Sequence, residues 1–194
     1  ANPFGPGNKW KVTSQFGNAE AFRKGTHGGL DIGCPVGTPL LCCLQNATIT
    51  YRRQSNASNG RPDGYGYYIE LRGKGVGPIG EGTSYNIHYG HLSAFSPPGE
   101  SEDFNTFHAL KVHAITKGWE TDGYAITVPG KVALGTVIGK TGGFKGHIGA
   151  GTSTGPHLHI TIRQGGDKQD PQLLVQDYYV AAGGGANDHV PNRG

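Results

Sequence analysis

Methionine is absent from this chain, and cysteine occurs only at Cys34, Cys42 and Cys43. An odd number of cysteines, two of them adjacent, excludes a disulfide framework, because neighbours on a strand point to opposite faces and at most one bridge is available. The three are read as small buried apolar side chains, which suits folding in a reducing compartment. No apolar run is long enough to span a membrane, and no basic run points to nucleic acid. The formal net charge of +3 is small and at most mildly favours an anionic envelope polymer. No signal peptide is visible. With no methionine and Ala1 at the start, the chain is expected to be a processed product or a domain of a longer polypeptide.

What is abundant is glycine, 35 of 194 residues, with few long apolar patterns of helical period. Strands joined by tight turns are therefore expected, in one β-rich domain, all-β or α+β, with an antiparallel core and few short helices. Residues 1–11 read as an irregular lead-in, 12–182 as the domain, and 183–194 as a flexible Gly-rich tail. Strands are predicted over 12–17, over 40–44 and 47–52 as a hairpin turning at Gln45-Asn46, over 66–72, over 84–92, and through 157–163. Residues 95–129 do not fit a hairpin connection. Ser101-Glu102-Asp103 reads as a helix start within that segment, and the whole is expected to wall or cover a groove. Asp170-Pro171 predicts a terminal helix over 172–182.

The stretch that organises the rest is Gly155-Pro156-His157-Leu158-His159. Two histidines one residue apart on a strand project from the same face, so both imidazoles can enter one groove. Upstream, His27 and Asp31 are separated by Gly28-Gly29-Leu30, and the glycines permit a tight local path. Histidines and a carboxylate, with one coordination position left open, are the donors a hydrolytic zinc site needs. His88 and His91 compete on the strand before Leu92. Their odd separation puts them on opposite faces unless Gly90 marks a bulge.

Five motifs in order carry a resemblance. They are Val12-Thr13-Ser14-Gln15-Phe16-Gly17; His27 to Asp31-Ile32-Gly33, with Pro35-Val36-Gly37-Thr38-Pro39; Tyr89-Gly90-His91-Leu92-Ser93; Gly135 to Gly142; and Ser153 to His159. Together they resemble the lysostaphin-like zinc endopeptidases, peptidase family M23. The resemblance implies an antiparallel sheet with one zinc in a loop-walled groove, and bacterial peptidoglycan as substrate. It places the metal ligands at His27, Asp31 and His159 and two non-ligand catalytic histidines at His91 and His157. Where the family often carries a tyrosine before the first ligand, this chain has Phe22.

The expected activity is cleavage of peptide stems or cross-bridges of the wall by a secreted or, preferably, a phage virion-associated lysin. The alternatives are a zinc peptidase acting on glycine-rich protein, or a non-catalytic wall-binding or tail-tip module. His108, His113, His147 and His189 are read as ordinary loop or solvent histidines.

Overall fold

The computed structural model describes residues 2–5, 10–14, 17, 28–54 and 64–175. Twelve strands run in chain order: β1 Lys11–Ser14, β2 Leu30–Gly33, β3 Pro39–Leu41, β4 Gln45–Arg53, β5 Tyr67–Lys74, β6 Ser84–Gly90, β7 Leu92–Phe95, β8 Glu120–Thr121, β9 Ala125–Thr127, β10 Val137–Thr141, β11 Leu158–Gln164 and β12 Asp167–Gln169. One α-helix, α1 Phe107–Lys117, lies between β7 and β8, and short 3-10 turns occupy Gly77–Ile79 and Pro171–Val175. The described strands form a nine-stranded antiparallel sheet ordered β1-β2-β11-β6-β5-β4-β9-β8, with β12 beside β11, and a three-stranded sheet ordered β3-β10-β7.

Alternation in the sequence explains the large sheet. Ala47, Ile49 and Tyr51 of β4, Tyr67, Ile69 and Leu71 of β5, Ile87 and Tyr89 of β6, and Leu158, Ile160 and Ile162 of β11 are buried. Period-two spacing puts all of them on one face. Each fully buried aliphatic side chain contributes about 1.5–3 kcal/mol relative to exposure. The small sheet covers that face. Tyr51 stacks edge-on against Phe95 at 5.1 Å and its hydroxyl donates to the carbonyls of Ser96 and Ile138. The opposite face, carrying His159, Thr161 and Arg163 on β11, is left polar.

Chain switches between the two sheets were not expected. The anticipated hairpin of 40–44 with 47–52 does not form: β3 pairs with β10, whereas β4 pairs with β5 and β9. Cys42, Cys43 and Leu44 are the crossover between sheets, and Asn46, at φ 50°, sits in a register irregularity rather than a hairpin turn. The anticipated single strand over 84–92 is likewise two strands in different sheets, broken at His91.

The helix starts later than expected. Phe104 is held in a bridge to Phe95, so the cap falls to Thr106, whose hydroxyl accepts from the Ala109 N–H; Gly118, at φ 73°, ends the helix. The segment over 95–129, expected to wall or cover the groove, contributes no residue to its lining. Its β8–β9 hairpin extends the sheet edge beyond β4, and Phe107 packs on Tyr67 and Phe95. The segment is a buttress of the core. All three thiols are buried and unbridged, as expected. No helix among the described residues is long and apolar enough to cross a membrane. Of the anticipated terminal helix, Pro171–Val175 is a 3-10 turn, and its remainder and the tail over 183–194 lie outside the described residues.

Candidate active site

The strand pairing of β2 with β11 places Asp31 directly opposite His159. Asp31 Oδ1 lies 2.6 Å from His159 Nδ1 and 3.7 Å from His157 Nε2. The two residues of the His-x-His pair thus enter one groove, as their spacing requires. The orientation of His159 is fixed from behind: a Cβ on Gly29 would stand 2.8 Å from both Cε1 and Nε2 of the ring and 2.5 Å from the Ile160 carbonyl oxygen. Only glycine leaves room for the imidazole to turn its Nδ1 edge toward Asp31. Above the ring lies Tyr65, its centroid 5.2 Å from that of His159, with its hydroxyl donating to Thr161 Oγ1 at 3.1 Å.

His91 reaches the same groove from the break between β6 and β7. Its backbone adopts φ 61°, a left-handed conformation uncommon for a residue with a Cβ. That turn sends the chain into the small sheet and swings the imidazole beside His157, with ring centroids 4.8 Å apart, and near His159, at 5.8 Å. Gly90 permits the turn, since a Cβ there would meet the Tyr65 ring at 2.9 Å. His88 is resolved as the competitor: it faces Glu70 across the polar sheet surface, 3.6 Å from its Oε2, and does not line the groove.

Both non-ligand candidates are anchored in the same way. His91 Nδ1 is 2.7 Å from the Ala150 carbonyl, and His157 Nδ1 is 2.8 Å from the Gly155 carbonyl. A carbonyl can only accept, so each Nδ1 carries a proton and points its N–H away from the groove, leaving Nε2 as the nitrogen that faces it. Ser153 braces this loop by donating to the Gly143 and Gly155 carbonyls. Burial pushes the His91 pKa down to about 3, with the neighbouring His157 and His159 adding to the effect. His91 is therefore neutral near pH 7, with Nε2 unprotonated.

The groove has a volume of about 970 Å3, bounded by Thr13 and Ser14 of β1, by Tyr65, and by the loop 152–156. Its described lining brings together Asp31, His91, His157 and His159. His27 lies outside the described residues, and so does His189. Among the described residues no cluster of three or more His, Cys, Asp or Glu is arranged to hold a metal ion. His113 bonds Glu100, and His147 Nδ1 accepts from the Gly149 N–H; neither lines the groove, nor does His108. Tyr65 was missed in the sequence. It lies in a Gly-rich loop with no periodic pattern, and only the following Gly66-Tyr67 strand start hints that an aromatic there would be carried to the groove.

No protein-family model and no curated protein matches the chain. Among solved structures, lysostaphin from Staphylococcus simulans, described as an antimicrobial peptidase, aligns with a TM-score of 0.50 and 21% identity over 95% of this chain and 57% of that one. The chain has the lysostaphin-like M23 fold. The isolated lysostaphin catalytic domain aligns over 86% of this chain and 92% of its own, with 21% identity and a TM-score of 0.48. The catalytic domain of a prophage-encoded M23 protein from Enterococcus faecalis aligns over 89% and 95%, with 22% identity and a TM-score of 0.47. Within the lysostaphin-like fold of this chain, the polar face of the large sheet is the groove floor and loops form its walls.

Proposed function

We propose that this chain is a zinc-dependent endopeptidase that hydrolyses peptide stems or cross-bridges of bacterial peptidoglycan. The observation that carries the reading is the convergence of an Asp31–His159 pair with two histidines whose Nδ1 atoms are both committed to backbone carbonyls. The donors present fit zinc. Asp31 offers a carboxylate oxygen, His159 offers the Nδ1 whose proton, now shared with that oxygen, the ion would replace, and His27 is the third ligand that the family resemblance implies. When bound, the ion supplies Lewis acidity that makes water nucleophilic near neutral pH.

The chain's own groups supply the rest. His91, whose Nδ1 is committed to the Ala150 carbonyl, presents its Nε2 lone pair to the attacking water and passes a proton to the leaving amine. His157, on the strand face shared with His159, places Nε2 to donate to the developing oxyanion when protonated, or to orient the water when neutral. Tyr65 over His159 excludes solvent from one side and offers the peptide an aromatic wall. The substrate lies extended along the polar floor, where strand geometry presents a side chain every second residue.

We assign the site of action to the bacterial wall. Between a secreted enzyme and a virion-associated one, the three buried unbridged thiols favour a chain folded in a reducing compartment and carried out in a phage particle. The test is metal stoichiometry with activity: one zinc per chain in the wild type, lost in His159→Ala together with wall lysis. Full lysis by a zinc-free protein overturns the assignment.

A further inference from the structure

The fold gathers a charge cluster that no stretch of the sequence contains. Arg72 and Lys74 of β5, Lys131 before β10, and Arg163 of β11 line one concavity of about 620 Å3, and no carboxylate lines it. Arg163 pairs in register with Asn86, and Asn86 with Arg72, so two guanidinium-bearing positions flank one amide about 10 Å apart across adjacent strands. Glu70, two residues from Arg72 on β5, is shared between Arg52, Arg72 and Asn86. Lys131 has no hydrogen-bond or ion-pair partner among the described residues, and Arg163 spends one nitrogen on the Gly166 carbonyl. In a chain of formal net charge +3, four cations around one concavity are a concentration of charge, and like charges side by side on a sheet cost stability until an anion neutralises them.

This concavity is on the same sheet face as the catalytic groove. His159 and Arg163 are four residues apart on β11 and project from one side, a separation of about 13 Å at about 3.3 Å per residue. Thr161 lies between them, opposite His88 in the pairing of β11 with β6. Tyr65 covers Thr161 between the two sites, so a peptide with its scissile bond at the Asp31–His159 pair reaches the concavity by passing over the Tyr65 ring, a span of about four residues.

Building on the peptidase reading above, we infer that the Arg72, Lys74, Lys131 and Arg163 concavity is a specificity subsite for a free carboxylate of the substrate peptide, about four residues from the cleaved bond. Arg163 and Arg72 present planar forks suited to a carboxylate, and Lys131 and Lys74 supply point charges. Ser84, already accepting from Lys74, orients that ammonium at the rim.

The probes are stem peptides released from purified peptidoglycan, used as such and after amidation of their carboxyl groups. Their binding is measured by titration calorimetry to His159→Ala, used to prevent turnover, and to His159→Ala combined with Arg163→Gln or with Lys131→Gln; cleavage is followed separately in the wild type. Native peptides are expected to bind about tenfold more tightly than amidated ones, the worth of one charge-assisted contact. Either substitution is expected to cut that preference to about twofold, and 0.5 M salt to weaken it further. Lys131→Gln removes no hydrogen bond or ion pair among the described residues, so loss of preference in that variant with an unchanged unfolding midpoint reads the subsite and not unfolding. Equal affinity for native and amidated peptides, or a preference untouched by both substitutions, overturns the inference. If the wild type cleaves neither peptide yet His159→Ala keeps the preference, the peptidase reading fails while the subsite stands. Cleavage of both with no preference has the opposite meaning.

Discussion

Asp31 Oδ1 and His159 Nδ1 lie 2.6 Å apart across a single rung of the β2–β11 pairing, so the backbone register of two strands far apart in sequence sets the distance between the two groups we propose as metal donors. A donor pair held by the backbone is preorganised, and what disturbs the rung disturbs the site. Gly29→Ala inserts a Cβ into both the His159 ring and the Ile160 carbonyl. The expected cost is about 1–3 kcal/mol of stability, with a fall in zinc affinity beyond that of a distant control. Urea denaturation and metal competition measure the two; unchanged zinc affinity would separate the register from the site.

His91 separates binding from chemistry. In His91→Ala the proposed ligands are intact, so on the proposed reading zinc content is expected to stay at wild-type level while kcat falls by about 100- to 10,000-fold. Wild-type turnover in this variant would hand the proton transfer to another group. His88→Ala is the companion control: it disturbs the Glu70 cluster and leaves the groove lining intact.

Glu70 gives the fold an acid-sensitive element. His88, with Asn86 and Arg52, holds its carboxyl well below the usual carboxylate range, against the opposing effect of burial. A depressed folded-state pKa means that the stabilisation is fully present above the unfolded value of about 4.3 and is lost as pH falls through the folded value. Between pH 7 and pH 2 the wild type is expected to lose roughly 1–3 kcal/mol more than Glu70→Gln, measured by denaturant unfolding at each pH. Parallel curves would remove Glu70 from the acid response.

The thiols are expected to be inert in the folded protein. Burial pushes Cys43 up to about 12 and raises Cys34 and Cys42 as well. A thiol reagent at pH 8 should label none of them within minutes in buffer and all three in denaturant, because the thiolate is the reactive form. Rapid stoichiometric labelling of the native chain would contradict their burial.

The segment over 95–129 gives a further contrast. Phe107 packs against Tyr67 and Phe95, and no residue of the segment lines the groove. Phe107→Ala is expected to cost about 3–5 kcal/mol of stability while leaving kcat/KM of the folded fraction unchanged. A selective drop in kcat/KM with normal stability would restore a covering role.

The alternation of β4, β5, β6 and β11 was legible because period-two burial is a local property of the chain, and the His157, His159 and Asp31 positions followed from motif spacing. The sheet switches at Cys42–Leu44 and at His91 were not legible. Both depend on which distant strand wins the pairing, and His91 takes a left-handed turn that its residue type does not announce. The start of α1 was misplaced because Phe104 is claimed by a bridge to Phe95, a contact made by tertiary structure. Tyr65 and the cation cluster arise from register across strands, which no linear pattern encodes.

The most direct measurement is mass spectrometry of fragments released from purified peptidoglycan of two cross-link types, one with glycine bridges and one with direct D-alanyl links, with and without a chelator. The account predicts peptide fragments from at least one type, abolished by the chelator and restored by zinc. No release from either wall by the zinc-loaded protein would contradict it.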